Sequence, residues 1–70
     1  MKLHYYPETD SLYMELSAKG GADSREVSDG LVVDLDELGN VVGIDIDHAS
    51  TKLDLSSVET VALPLEAKPA

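Results

Sequence analysis

Seventy residues, with 14 acids against 5 bases and a net charge of −9, bound this chain before any motif is read. The length suits one domain, residues 1–70, and the absence of cysteine excludes a disulfide framework and thiolate metal sites. The cations Arg25, Lys2, Lys19, Lys52 and Lys68 are scattered, so the chain lacks the basic face that nucleic acid or an anionic membrane surface requires.

The first elements in chain order form a hairpin. Leu3 and Tyr5 alternate with His4 and Tyr6, and Leu12, Met14 and Leu16 alternate with Ser11, Tyr13 and Glu15. Period-two alternation predicts half-buried strands. Pro7-Glu8-Thr9-Asp10 lies between them, and proline suits a turn and not a central ladder. Pairing Tyr6 with Ser11 sets Tyr5 opposite Leu12 and Leu3 opposite Met14, which gathers the apolar residues on one face.

Gly20-Gly21 breaks the chain in a loop from Ala18 to Asp23, and it lacks the Lys-Ser/Thr that would make it a phosphate cradle. Ser24–Ser28 is a further strand candidate, followed by a turn signal at Asp29-Gly30. A second hairpin spans VVDLDELGNVVGIDID. A four-residue loop, Glu37-Leu38-Gly39-Asn40, pairs Asp36 with Val41 and places Leu35, Val33 and Leu31 opposite Val42, Ile44 and Ile46. A three-residue loop disrupts that apolar match, so the pattern favours the longer loop. DLDELG carries the first acids of a calcium loop. Leu38 stands at a ligand position, however, and both flanks read as strands, so no specific calcium site is expected at 34–40. The acids of this hairpin read instead as a wetted outer surface.

The period then lengthens. A helical turn is predicted near Ala49–Lys52, and a short helix from about Ser56 to Leu63. Ser56 and Glu59 suit a capping box for it, and Pro64 ends it. The expected fold is therefore α+β: an antiparallel β-meander of four to five strands, in two hairpins, with a short C-terminal helix packed on one face.

Catalytic signals are sparse. No serine sits in a nucleophile elbow, and His4 and His48 lack a nucleophile partner, so no enzyme activity and no cofactor are expected. The alternative chemistry is a metal or small-ligand site built from Asp45, Asp47 and His48. The outer face is not purely polar: Tyr6, Tyr13, Val32 and Val41 fall on it, an interface-like composition. A core of this size supplies roughly 3 to 5 kcal/mol, so association is the remaining means of stabilisation. A homodimer is expected, with a structural homodimer lacking further activity as one alternative. Met1-Lys2 runs into LHYY and Pro7 without an apolar stretch, and no segment approaches membrane-spanning length, which sets the expectation of a cytoplasmic protein.

The strings YYPETDSLYMELS and EVSDGLVVDLDELGNVVGIDIDHAS resemble the motifs Y-x-P-E-x-D-x-L-Y and e-v-x-x-G-x-x-x-D-x-D-x-x-G-x-x-V-G-I-E-I-x-x-A-S of the small bacterial family called domain of unknown function 2283. Asp45 stands where that family often has Glu, and Tyr6 where many members have Asp. No catalytic or ligand residue carries over. Members are associated with a neighbouring toxin-like gene of the family called domain of unknown function 4258. The resemblance therefore implies a protein-interaction module, with an antitoxin-like role against a small basic toxin-like protein as its sharper form.

Overall fold

The computed structural model describes residues 1–65. Five strands, β1 (Lys2–Tyr6), β2 (Ser11–Glu15), β3 (Asp23–Ser28), β4 (Leu31–Leu35) and β5 (Val41–Ile46), are followed by one helical turn, α1 (Ala49–Lys52). They form a single antiparallel sheet in the order β1-β2-β5-β4-β3. The β3–β4–β5 meander thus joins the first hairpin through β5, and the segment after β2 carries the chain to the far edge. The α+β meander with a short helix after the strands is the architecture expected from the alternation. Ser24–Ser28 is part of a true strand, β3.

The first hairpin takes the expected register, with Leu3, Tyr5 and Tyr6 opposite Met14, Leu12 and Ser11. The second hairpin departs from expectation at its tip. Leu31 pairs with Ile46 and Val33 with Ile44, as the apolar pattern requires, but Leu35 pairs with Val41. The backbone bonds Asp36 N–H to Asn40 carbonyl (2.9 Å) and Gly39 N–H to Asp36 carbonyl (3.0 Å) close a three-residue loop, not the four-residue loop expected. A bulge in β5 at Val42 absorbs the extra residue. Turn chemistry wins locally, because Gly39 takes the left-handed φ of +84°. The bulge then restores the register that buries the branched residues.

The second correction concerns the tail. Ser56–Leu63 contains no helix. Ser56 does not reach Glu59; its amide bonds the Asp54 carboxylate at 3.0 Å. β-branched Val58, Thr60 and Val61 disfavour a helix, and Ala62 takes a left-handed φ of 58° that interrupts one.

Residues directly opposite across strands share a face, so the register defines both surfaces. One face carries the rows Leu3–Met14–Ile44–Val33–Arg25 and Tyr5–Leu12–Ile46–Leu31–Ser28. The other carries His4–Tyr13–Asp45–Val32–Glu26 and Lys2–Glu15–Gly43–Asp34–Ser24. The extended segment from Leu53 onward lies beside the β1–β2 half of the apolar face. It leaves a cleft lined by Leu3, Tyr5, Leu12, Leu53, Leu55 and Val58.

Candidate functional site

Three arrangements of side chains stand out. The first is a clasp between the tip of the first hairpin and α1. Asp10 takes a left-handed φ of 51°, which turns its carboxylate back over the hairpin. It accepts bonds from the Tyr5 hydroxyl (2.7 Å), the Ser50 amide (3.1 Å) and the Ser50 hydroxyl (2.7 Å). The Asp10 carbonyl also accepts from the Ala49 amide at 2.8 Å. Ala49 is fully buried beneath this contact. The Ser50 and Tyr5 donors hold the Asp10 carboxyl below the usual carboxylate range, and the bond to Asp10 in turn raises the Tyr5 phenol. Lys52 extends the clasp by donating to the Asp29 carbonyl at 3.2 Å. These polar groups hold one another and support the fold. Asp10 and Ser50 stand forty positions apart, so no local pattern in the sequence marked their meeting.

The second arrangement spans the acidic face. Tyr13 reaches across Gly43 to donate to Asp34 at 3.1 Å, and Ser24 donates to the other oxygen of Asp34 at 2.7 Å. A Cβ at residue 43 collides with the Tyr13 hydroxyl, so the glycine makes this crossing feasible. The bond to Asp34 raises the Tyr13 phenol. Asp45, between Tyr13 and Val32, is pushed above the usual range by burial first, then by Asp47 and Asp34.

The residues proposed from sequence fall as follows. Tyr13 and Val32 lie in one row with Asp45 between them. Tyr6 and Val41 are about half exposed but sit at opposite ends of the sheet, so the four do not form one patch. Asp47 accepts from the Ser11 hydroxyl at 3.2 Å, and His48 turns left-handed with φ 51° as it enters α1. Among the described residues no group of three or more His, Asp or Glu is placed to hold a metal ion, the trio Asp45, Asp47 and His48 included. In the D-x-D stretch, Asp36 spends one oxygen on the amides of Leu38 and Asn40, both at 2.9 Å. It shapes a turn and is held below the usual range by those amides.

The third arrangement is the apolar face itself. Among the described residues, Val42 (4% exposed) and Ala49 (0%) are the buried apolar side chains. Leu12, Met14, Leu31, Val33, Ile44 and Ile46 remain half-buried. Leu3 and Tyr5 are exposed, as are Val58 and Val61 of the extended segment, at 74% and 77%. The sequence marked this face as apolar but assigned its cover to a helix that is absent.

The molecule is thus a small five-stranded-sheet protein with one acidic and one apolar face. Residues 2–50 match the family described as a protein of unknown function, DUF2283, and the chain belongs to that family. The matched span includes the hairpin tip, Asp10, Gly43, Ala49 and Ser50, so the residues behind the resemblance are those that build the clasp and the sheet. No curated protein and no solved structure matches the chain. Among the described residues no helix is long and apolar enough to cross a membrane.

Proposed function

We propose that this protein is a non-enzymatic protein-interaction module whose working surface is the apolar sheet face. One observation carries the reading: a five-stranded sheet presents two apolar rows, yet among the described residues the buried apolar side chains are Val42 and Ala49. A stable domain packs two layers around a core, and here the second layer is a four-residue helix and an extended segment. The polar residues support the same reading. Asp10, Asp34 and Asp36 are occupied in hydrogen bonds that shape turns and cross strands, not gathered around a cleft.

A second reading keeps the module and uses its other face. Glu15, Glu26, Asp34 and Asp45 share the acidic face, and the net charge is −9. Such a surface suits a small basic partner, the antitoxin-like role that the family resemblance suggests.

Methyl-labelled protein in the presence of a soluble paramagnetic agent tests the first reading. The methyls of Leu31, Val33, Ile44 and Ile46 are expected to be shielded, either in the purified chain or after co-expression with the product of the adjacent gene. Full broadening of these methyls in both samples overturns it. A complex that forms with the neighbour and dissolves as salt rises, leaving those methyls unchanged, favours the acidic-face reading instead.

A further inference from the structure

We infer that β1, the strand at one edge of the sheet, pairs antiparallel with β1 of a second copy of this chain. The contact uses the edge and not the apolar face, so it stands independently of the function proposed above.

The hydrogen-bonding direction of each strand is the first argument. In an antiparallel ladder a residue's N–H and C=O point the same way, and successive residues point to opposite neighbours. The Leu16 amide donates to the Val42 carbonyl at 2.9 Å, so Leu16, Met14 and Leu12 face β5. From the other side, the Asp47 amide donates to the Gly30 carbonyl at 2.8 Å. That turns Asp47 and Asp45 toward β4 and leaves Ile44 and Ile46 for β2. Ser11, Tyr13 and Glu15 therefore face β1, where they meet Tyr6, His4 and Lys2. Leu3 and Tyr5, which alternate with these, aim their N–H and C=O away from the sheet. Among the described residues no backbone bond outside the ladders reaches either of them, and all five residues of β1 are exposed. Such a row of backbone groups is a template for another strand.

The composition of β1 selects the occupant. Each of the other four strands carries an acid, whereas β1 reads KLHYY and carries none. In a chain of net charge −9, this edge meets its own copy without opposing acids. It is also self-complementary. With Leu3 and Tyr5 as the outward residues, the joining register pairs Leu3 of each copy with Tyr5 of the other and sets the two His4 residues across the two-fold axis. Leu3 and Tyr5 belong to the apolar rows, so these rows run on from one copy into the next. Lys2 falls opposite Tyr6, which keeps the two lysines at opposite ends of the seam. The other edge lacks these properties. β3 has a register shift between Glu26 and Ser28 and holds Asp23, Arg25 and Glu26, features that blunt an edge. Pairing β1 with β3 of the next copy leaves free ends and grows a fibre, whereas β1 with β1 closes.

The test exploits the absence of cysteine from the chain. His4→Cys places a thiol at the two-fold axis, in a non-hydrogen-bonded pair with Cα atoms about 4.5 Å apart, within reach of a disulfide. Tyr6→Cys places its thiol about 13 Å along the strand from its counterpart, out of reach. In a glutathione redox buffer, His4→Cys is expected to form the linked dimer about tenfold faster than Tyr6→Cys or more. Equal rates, or a faster Tyr6→Cys, overturn the inference. Leu3→Pro supplies a second measurement. It removes an outward N–H and no ladder bond within the protomer, the setting in which an edge strand tolerates proline. The native chain is expected to dimerise in sedimentation equilibrium. Leu3→Pro is expected to weaken that dimer by about tenfold or more, since two symmetric bonds are lost. A native chain that stays monomeric at the cross-linking concentration overturns the inference, as does a dimer that Leu3→Pro leaves within about twofold. If circular dichroism shows that Leu3→Pro has lost its sheet, the ratio of cross-linking rates decides. Cross-linking through His4→Cys with the apolar methyls fully broadened defeats the proposed function and leaves this inference standing.

Discussion

Gly43 shows how one missing side chain organises a face. It lets the Tyr13 ring cross β5 and reach Asp34 on β4. Gly43→Ala is expected to push that ring aside and cost about 1 kcal/mol, the net worth of one hydrogen bond. Its signature is spectroscopic: the Tyr13 phenol, now raised by Asp34, should titrate closer to its ordinary range, as read by ultraviolet absorbance. Asp45 offers a second test. Its carboxyl is raised by burial, Asp47 and Asp34, so its ionised form opposes folding. Stability from this group is present below the unfolded-state value and is lost as pH rises through the higher folded value. Asp45→Asn should therefore stabilise the protein at pH 7 by about 0.5 kcal/mol, the scale of an exposed charge interaction. The gain should vanish in urea melts below the unfolded-state value. Asp10 has the opposite sign. Its lowered carboxyl contributes above the ordinary aspartate range, and the contribution fades as pH falls through the folded value. Asp10→Asn is expected to lower stability at pH 7 and to narrow that deficit in acid, measured by the same melts.

At the scale of elements, the second hairpin records a contest between two local signals. The branched residues of β4 and β5 set the register at Leu31–Ile46 and Val33–Ile44, while Asp36 and Gly39 set the loop. Neither yields, and the bulge at Val42 reconciles them. Val42 is also the buried apolar side chain of the sheet, and its carbonyl accepts the Leu16 amide at 2.9 Å. Val42→Ala is expected to cost about 2 kcal/mol through lost burial and the space left behind. Val41→Ala, on the exposed neighbour, should cost less than about 0.5 kcal/mol. Urea unfolding of both variants checks the contrast. The first hairpin was fully legible because its turn length and its apolar alternation agree. The second was legible in its strands but not at its tip, because an inserted residue conceals itself from a period-two reading. The extended segment after Leu53 was misread because its spacing of apolar residues suits a helix, while its β-branched residues and the left-handed Ala62 do not.

At the scale of the whole molecule, charge is segregated by the sheet. A homodimer, the association expected for a core of this size, brings two chains of −9 together. Long-range repulsion between such protomers is screened over about 8 to 10 Å at physiological ionic strength. Association is therefore expected to tighten as salt rises from about 10 mM to 150 mM, and sedimentation at the two ionic strengths measures it. A complex held by opposite charges loosens over the same range, which separates the apolar face from the acidic face as the site of contact.

The sequence alone determined four to five strands, the register of the first hairpin, the separation of apolar from acidic residues and the resemblance to the family. These follow from period, turn residues and short-range pairing, which are written locally. Tertiary structure alone decided that β5 lies between β2 and β4. It also decided that Asp10 closes on Ser50 across forty residues, that Tyr13 crosses Gly43, and that the apolar face lacks the helix expected to cover it. Each of these depends on groups distant in the chain sharing space. The proposed working surface belongs to this second kind, because an apolar pattern marks a face for burial without saying which polypeptide buries it.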